Sequence, residues 1–316
     1  MQCLHCYSGS GPGVSEGNSC NHILRFLDFA AEQGYNNASF SGGEPFLFPE
    51  LHIVLGHAKS LGLSTGVVTN GTIINTRLIQ RVENLIDSLA ISLDGPEHIH
   101  NVVRDSDTAY QTLLRNLTVF QNSNIKLALI HTLTSQTTAY VKWLADFCIE
   151  NQFSLLHLHP LGIVGNARKQ ELEPLDGEAL FRAYLAYGWL KSYTEEKLDV
   201  HIDIVNAEAA ASDPIAWNIL PKSTGEIFQI SEAVNPLVLR ADGKITPICY
   251  DMPEQFIIGS LKDELSLETL AHRYLTEQHQ LFVNHCSELW QKTYSNLEWP
   301  YFNWYEVLEN AKFGCS

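Results

Sequence analysis

Apolar positions along the chain fall into two alternating kinds of stretch. Helical patterns cover 21–34, 49–62, 76–86, 107–121, 140–149 and 178–195. Pro49 near a start and Gly62 near an end punctuate the second of them. Between these lie short runs rich in Val, Ile, Leu and Ala. They are the run ending in SFSGGEP, then LSTGVVTNG, SLAISLDG, IKLALIHTL, FSLLHLHPLG and LDVHIDI. The runs do not alternate strictly between polar and apolar, which predicts strands buried on both faces of a parallel sheet. Strand following helix, repeatedly, predicts βα crossover units and an α/β fold.

A doubly wound sheet and a βα barrel both satisfy that periodicity. The strand ends favour the barrel. Polar or glycine-rich residues close strand after strand, at Ser41-Gly42-Gly43-Glu44, Thr69-Asn70-Gly71-Thr72, Ser92-Leu93-Asp94-Gly95, His131-Thr132, and His157 with His159. A barrel distributes its chemistry over many strand ends, whereas an open sheet gathers it at one switch point. From about residue 212 the beat changes, and Pro214, Pro221, Pro236, Pro247 and Pro253 break up the chain. There LVLRADGKITPIC predicts a hairpin turning on Ala241-Asp242-Gly243-Lys244, SLETLAHRYL predicts a helix, and 290–305 reads as aromatic and irregular. Two units are expected, 1–214 and a smaller one over 215–316.

Composition narrows the function classes. Hydrophobic residues make up 45% and charged residues 18%, as in globular proteins. The formal charge of −16, with no run of Lys or Arg, argues against a nucleic-acid partner and suits a neutral or basic one such as a peptide. No stretch approaches the roughly 18 consecutive apolar residues of a membrane span. No basic segment followed by an apolar run marks a secretory signal. The seven cysteines, Cys3, Cys6, Cys20, Cys148, Cys249, Cys286 and Cys315, are too sparse for a disulfide scaffold. A cytoplasmic location with thiols available for metal is expected.

Cys3 and Cys6 supply two thiols at the spacing of an iron–sulfur, zinc or redox pair, and spacing alone leaves iron–sulfur, zinc and an incidental pair open. At Gly42-Gly43-Glu44-Pro45, two glycines let a ligand approach the backbone and Glu44 is an acceptor for a cation. An ordinary strand-to-helix turn would use the same residues. His157 and His159 share one face of a strand. They read as core or rim histidines with satisfied hydrogen bonds, substrate contact or proton transfer being the alternative. Asp94 reads as a cap for the turn at Gly95. The aromatic run Trp299, Tyr301, Phe302, Trp304 and Tyr305 reads as packing of the smaller unit.

Order adds information that no single motif carries. Cys3-Leu4-His5-Cys6-Tyr7, then Ser41 to Pro45, then Thr69 to Thr72, then Ile91 to Pro96 with His100 and Arg104 together resemble the radical SAM superfamily. They resemble most the branch that modifies peptides and proteins, which includes sulfatase maturases and peptide-crosslinking enzymes. The resemblance spans roughly 1–170. It implies a partial (β/α)6 TIM-like barrel lacking its first strand. It implies a [4Fe-4S] cluster held by three cysteines, with Cys3 and Cys6 as two of them, and S-adenosylmethionine on the open iron. One electron would then break a C–S bond, and the 5′-deoxyadenosyl radical would take a hydrogen atom from the substrate. By the same resemblance Gly42, Gly43 and Glu44 accept from the methionine ammonium, and Ser92 contacts the carboxylate or ribose. Arg104 is a further candidate for the carboxylate, Tyr7 lies near the adenine, and Asn70 joins the cofactor site. The expected partners are a peptide or protein substrate and an electron donor such as flavodoxin or ferredoxin.

VLRADGKITPIC with IIGSL and SLETL resembles the C-terminal extension called SPASM or twitch, a small α+β unit that often carries auxiliary clusters. With only Cys249, Cys286 and Cys315 there, the scaffold is expected without a full auxiliary cluster; a three-cysteine site with one other ligand stays open. The family's Cys-x-x-x-Cys-x-x-Cys pattern would put its first cysteine two places before Met1, and the strand that delivers the loop is missing too. Cys20, at the start of a helix, is a poor substitute. The expectation is a start recorded downstream of the true one, or a gene fragment. The alternatives are a SAM- or peptide-binding remnant without radical chemistry, and a zinc-bound structural protein.

Overall fold

The computed structural model describes residues 1–11, 13, 17–222 and 229–311. Six strands form one parallel sheet: β1 (Asn37–Phe40), β2 (Ser64–Thr69), β3 (Ser88–Ser92), β4 (Lys126–Leu133), β5 (Leu155–Pro160) and β6 (Asp199–Ile202). Each falls on one of the apolar runs of the sequence. Each pairs in parallel with the next in chain order. Among the described residues nothing pairs with the outer edges of β1 and β6.

Helices Leu51–Ser60, Thr76–Val82, Ala109–Gln121, Val141–Glu150 and Gly177–Tyr193 alternate with the strands. Leu55, Leu113, Phe120 and Leu144 from these helices close over Leu89, Leu129 and Leu156 of the sheet. Each such side chain, fully removed from water, contributes about 1.5–3 kcal/mol before its entropy is subtracted. Asn75 and Asp176 cap their helices by accepting from the N–H groups of Leu78 and Ala179. Each cap of this kind contributes about 1 kcal/mol. Parallel strands with helical crossovers leave all six carboxyl ends at one end of the sheet, and that end carries the site.

The first helix, Cys20–Glu32, is capped by Ser19 and packs in two directions. Its Leu27 meets Val54 and Ala58, while Phe29 meets Ile230, Val234 and Ile245 from the last third of the chain. Asn18 Nδ2 donates to the Arg240 carbonyl at 2.8 Å, and the Tyr35 hydroxyl donates to the Val234 carbonyl. Beyond β6, β7 (Val205–Asn206) is a short strand. The expected hairpin is present as antiparallel β8 (Leu237–Leu239) and β9 (Lys244–Pro247), and β10 (Gly259–Ser260) adds to β9. β11 (Tyr301–Phe302) pairs antiparallel with β7.

Several helices depart from the sequence expectations, two of them notably. Glu97–Val103 forms in the segment read only as part of a motif. His279–Asn296 is an 18-residue helix, so much of the tail expected to be irregular is helical. Its Phe282, Cys286 and Trp290, four apart, enter an apolar cluster with Phe256 and Trp304. Polar residues between them hide that stripe in the sequence. Among the described residues no helix is long and apolar enough to cross a membrane.

Candidate cofactor site at the carboxyl ends of the strands

Residues 3–9 fold into tight turns, with Cys6 N–H donating to the Cys3 carbonyl and Gly9 N–H to the Cys6 carbonyl, both at 3.2 Å. Every anchor of this loop lies just after a strand or in the helix that follows one. Leu4 N–H donates to Val103 O at 3.0 Å. Tyr7 shares a 2.8 Å hydrogen bond with Ser41, after β1, and its half-exposed ring meets Tyr250 edge-on at 5.2 Å. Asn166, after β5, donates from its backbone to Cys6 O at 2.8 Å and from Nδ2 to Cys3 O at 3.1 Å. Gly165 has φ 56°, and a Cβ there would lie 2.3 Å from the Cys6 and Tyr7 carbonyls. Only glycine permits so close an approach.

Asp94 is more than a turn cap. It is fully buried, and Arg104 donates to it from Nε at 2.6 Å and Nη2 at 3.2 Å. His5, between the two cysteines, reaches the same carboxylate at 3.1 Å, and His100 Nδ1 lies 3.2 Å away. Burial alone would raise the Asp94 carboxyl. The Arg104 guanidinium, with His100 and His5, holds it well below the usual carboxylate range instead. Burial keeps His100 below its ordinary value. Arg104 Nη1 is 3.7 Å from Cys3 Sγ, so the guanidinium sits between Asp94 and the thiol.

Glu44 is a strut between β1 and β2. It accepts from Thr69 Oγ1 at 2.8 Å, Asn70 N–H at 2.9 Å and Phe46 N–H at 3.2 Å. Burial raises its carboxyl, against those three hydrogen bonds. Asn70 Oδ1 in turn accepts from the Thr72 N–H and hydroxyl. Gly42 takes φ 114°, and the space a Cβ would fill there is open. The Ser10 side chain lies 3.7 Å from the Cβ position of Gly43. Ser92, half-buried, closes β3 opposite Ile130.

The structure therefore gathers Cys3, Cys6, Tyr7, Gly42, Gly43, Glu44, Asn70 and Arg104 through the loop's anchors. Sequence reasoning gave Asp94 only a turn cap and His5 no role of its own, and it missed Gly165 and Asn166. The glycine following β5, in line with the other polar strand ends, was the available signal for the last pair.

A second polar cluster lies at the ends of β5 and β6. His157 and His159 are rim histidines with satisfied hydrogen bonds, as expected, and one carboxylate, Asp203, holds both. His157 Nε2 is 2.9 Å from Asp203 Oδ1, and His159 Nδ1 contacts Oδ2. In the last third, Cys249 and Cys286 are buried in the apolar cluster, with Cys249 Sγ 3.0 Å from Met252 Sδ. Burial pushes the Cys286 thiol up to about 12 and raises Cys249 as well. Cys315 lies outside the described residues.

The donors at the loop fit part of a cluster site. Cys3 and Cys6 are half-buried thiols, one facing an arginine and the other 3.4 Å from the Ser8 hydroxyl. Among the described residues no third Cys, His, Asp or Glu joins them in a metal-sized group. The open backbone at Gly42 fits the approach of a ligand such as S-adenosylmethionine.

The model of the Radical SAM superfamily matches residues 1–148. The Fe-coproporphyrin III synthase of Methanosarcina barkeri is 26% identical over 180 residues, 56% of this chain and 45% of that protein. The PqqA peptide cyclase of Xanthomonas oryzae is 37% identical over 83 residues, 26% of this chain and 20% of that protein. The chain spans about half the length of the first curated relatives it matches. Among solved structures, Streptococcus suis SuiB bound to precursor peptide SuiA superposes with a TM-score of 0.63 at 16% identity, over 88% of this chain and 62% of that one. Native anSMEcpe with bound AdoMet and Kp18Cys peptide gives 0.61 at 15% identity, over 98% and 84%. At such identities the likeness is one of fold.

Proposed function

We propose, from the premise that the chain carries a radical SAM domain over residues 1–148, that it reductively cleaves S-adenosylmethionine to modify a peptide or protein. One observation carries this reading: the loop bearing Cys3 and Cys6 is pinned across the carboxyl ends of the sheet beside the open backbone at Gly42. A [4Fe-4S] cluster, when bound, supplies the electron that breaks a C–S bond of S-adenosylmethionine. Cys3 and Cys6 would hold two of its irons. Arg104, fixed by Asp94, places positive charge 3.7 Å from Cys3 Sγ. Gly42 and Gly43 leave room for the methionine ammonium, and Glu44 sets the spacing of β1 and β2 beneath it. Ser92 serves the carboxylate or ribose, with Asn70 and Tyr7 at the rim. An electron donor such as flavodoxin or ferredoxin would supply the reducing equivalent. In this reading 1–214 is the catalytic core and 215–316 an extension of the SPASM or twitch type.

Support for a peptide substrate comes from the structural neighbours whose names carry a peptide and from the similarity to PqqA peptide cyclase. A haem-related substrate is the competing class, from the similarity to Fe-coproporphyrin III synthase. The test is anaerobic iron–sulfide reconstitution of the 316-residue chain, followed by iron counting and assay of 5′-deoxyadenosine under dithionite. About four irons per chain and cleavage of S-adenosylmethionine are expected. Neither result would leave the second reading, a SAM- or peptide-binding protein without radical chemistry, which the two-thiol donor set favours.

A further inference from the structure

β5 carries His157 and His159 two residues apart, so both rings project from the same face of the sheet. β6 is paired in register with it, His157 opposite His201 and Leu158 opposite Ile202. The pairing runs one step past β6, because the Asp203 N–H donates to the Leu158 carbonyl at 3.1 Å. That bond holds Asp203 beside β5, on the face that carries both histidines. Three side chains are thus aimed by the backbone of two neighbouring strands rather than by a loop, which is the support a precise site requires.

Their donor atoms converge. One ring nitrogen from each histidine and a carboxylate oxygen of Asp203 all lie within 4.8 Å of one another. The 2.9 Å between His157 Nε2 and Asp203 Oδ1 is close to the separation of adjacent ligands around an octahedral ion with bonds of about 2.1 Å, and a tetrahedral ion would spread them to about 3.4 Å. The two rings stand with centroids 4.0 Å apart. Further carboxyl groups lie in the neighbourhood. Tyr305 of helix Trp304–Glu309 lies within electrostatic reach of both Asp203 and Glu309. Glu309 in turn neighbours Asp251 and Glu306, with Arg168 as the positive group there. None of the three donors is sealed off: the side chains are 26%, 38% and 25% exposed for His157, His159 and Asp203.

We propose that His157, His159 and Asp203 form a binding site for one divalent transition-metal ion, separate from the thiol loop. Two imidazoles and one carboxylate suit zinc, iron(II) or cobalt(II) and are a poor match for calcium or magnesium, which take oxygen ligands. Three protein donors on one side leave coordination positions open on the exposed side. The same three groups could instead form only a hydrogen-bonded pair of histidines on a carboxylate, and the experiment separates the two.

The probe is cobalt(II) alone, added anaerobically to the full chain after chelator treatment, followed by visible absorption and calorimetry. One ion per chain is expected, with a d–d spectrum lacking sulfur charge-transfer bands. His159→Ala and Asp203→Asn should each weaken binding by more than about 100-fold, beyond the loss typical of outer-shell partners. Asp203→Glu, which keeps a carboxylate, should recover part of it. The double variant Cys3→Ser/Cys6→Ser should bind within about 2-fold of the parent, and so should His201→Ala, which alters a neighbouring ring without removing a donor. Circular dichroism establishes that each variant is folded. Cobalt binding no stronger in the parent than in His157→Ala/His159→Ala overturns the proposal. So does binding that vanishes with the two cysteines.

Discussion

Two strand ends of the parallel sheet treat a carboxylate in opposite ways. After β3, Asp94 is fully buried, and its charge is taken up by Arg104 and the histidines beside it. After β6, Asp203 is a quarter exposed and holds two histidines that water can reach. The first carboxylate fixes a loop in place. The second keeps donor atoms close together with solvent on one side. Both sit within two residues of a strand end, so position in the fold does not decide the role; burial and the permanence of the partner's charge do. Arginine keeps its charge at every working pH, whereas histidine can give its proton up.

The sharpest way to break this contrast is to remove the buried member. Asp94→Ala leaves Arg104 inside with its charge uncompensated, and a loss of about 3–5 kcal/mol is expected by chemical denaturation. An equal loss from Asp203→Ala would erase the distinction. Next comes Gly165→Ala, whose Cβ would press on the Cys6 and Tyr7 carbonyls. A cost of about 1–3 kcal/mol is expected, with iron uptake by the loop falling in parallel, read as iron per chain after reconstitution.

A smaller effect lies on the histidine side. Burial pushes Glu306 and Glu309 up to about 7, with Asp251 adding to the shift at Glu309. Their folded-state values stand above the unfolded ones, so the folded chain binds more protons between about pH 4.5 and 7. Their contribution to stability is complete below that window and is lost as pH rises through it. Asp203 runs the other way. Burial opposes ionisation, but its histidines hold it below the usual carboxylate range, so its contribution is lost only in acid. The melting temperature of Glu306→Gln/Glu309→Gln relative to the parent should therefore rise from pH 5 to pH 8. The smallest effect sets the zero of the scale. Arg182→Ala breaks an exposed helical pair with Glu178 and should change stability by less than about 0.5 kcal/mol.

How legible each region was follows from what its residues depend on. The six strands were readable because each is a local run of apolar residues with helix on either side. The loop's thiols and the glycines after β1 were readable as short motifs. Asp94 was not, because its partners come from three separated places, residues 5, 100 and 104. Asp203 was hidden for a related reason: it follows a four-residue strand and meets its histidines only through the pairing of β5 with β6. Helix His279–Asn296 has its apolar positions four apart but widely diluted by polar ones, so its stripe declares itself only against Phe256 and Trp304. Residue patterns disclose elements; charge clusters need the register between them.

The bond from Asn18 to the Arg240 carbonyl has a consequence for how the protein is made. During synthesis, 222 residues separate the two partners. At about 5–20 residues per second, that interval lasts on the order of 10–45 seconds. Throughout it the first helix lacks the surface that covers Phe29, and Tyr250 has not arrived to meet Tyr7. During that interval the nascent chain carries Cys3 and Cys6 on a loop still waiting for part of its support, and any metal delivered then meets it unfinished.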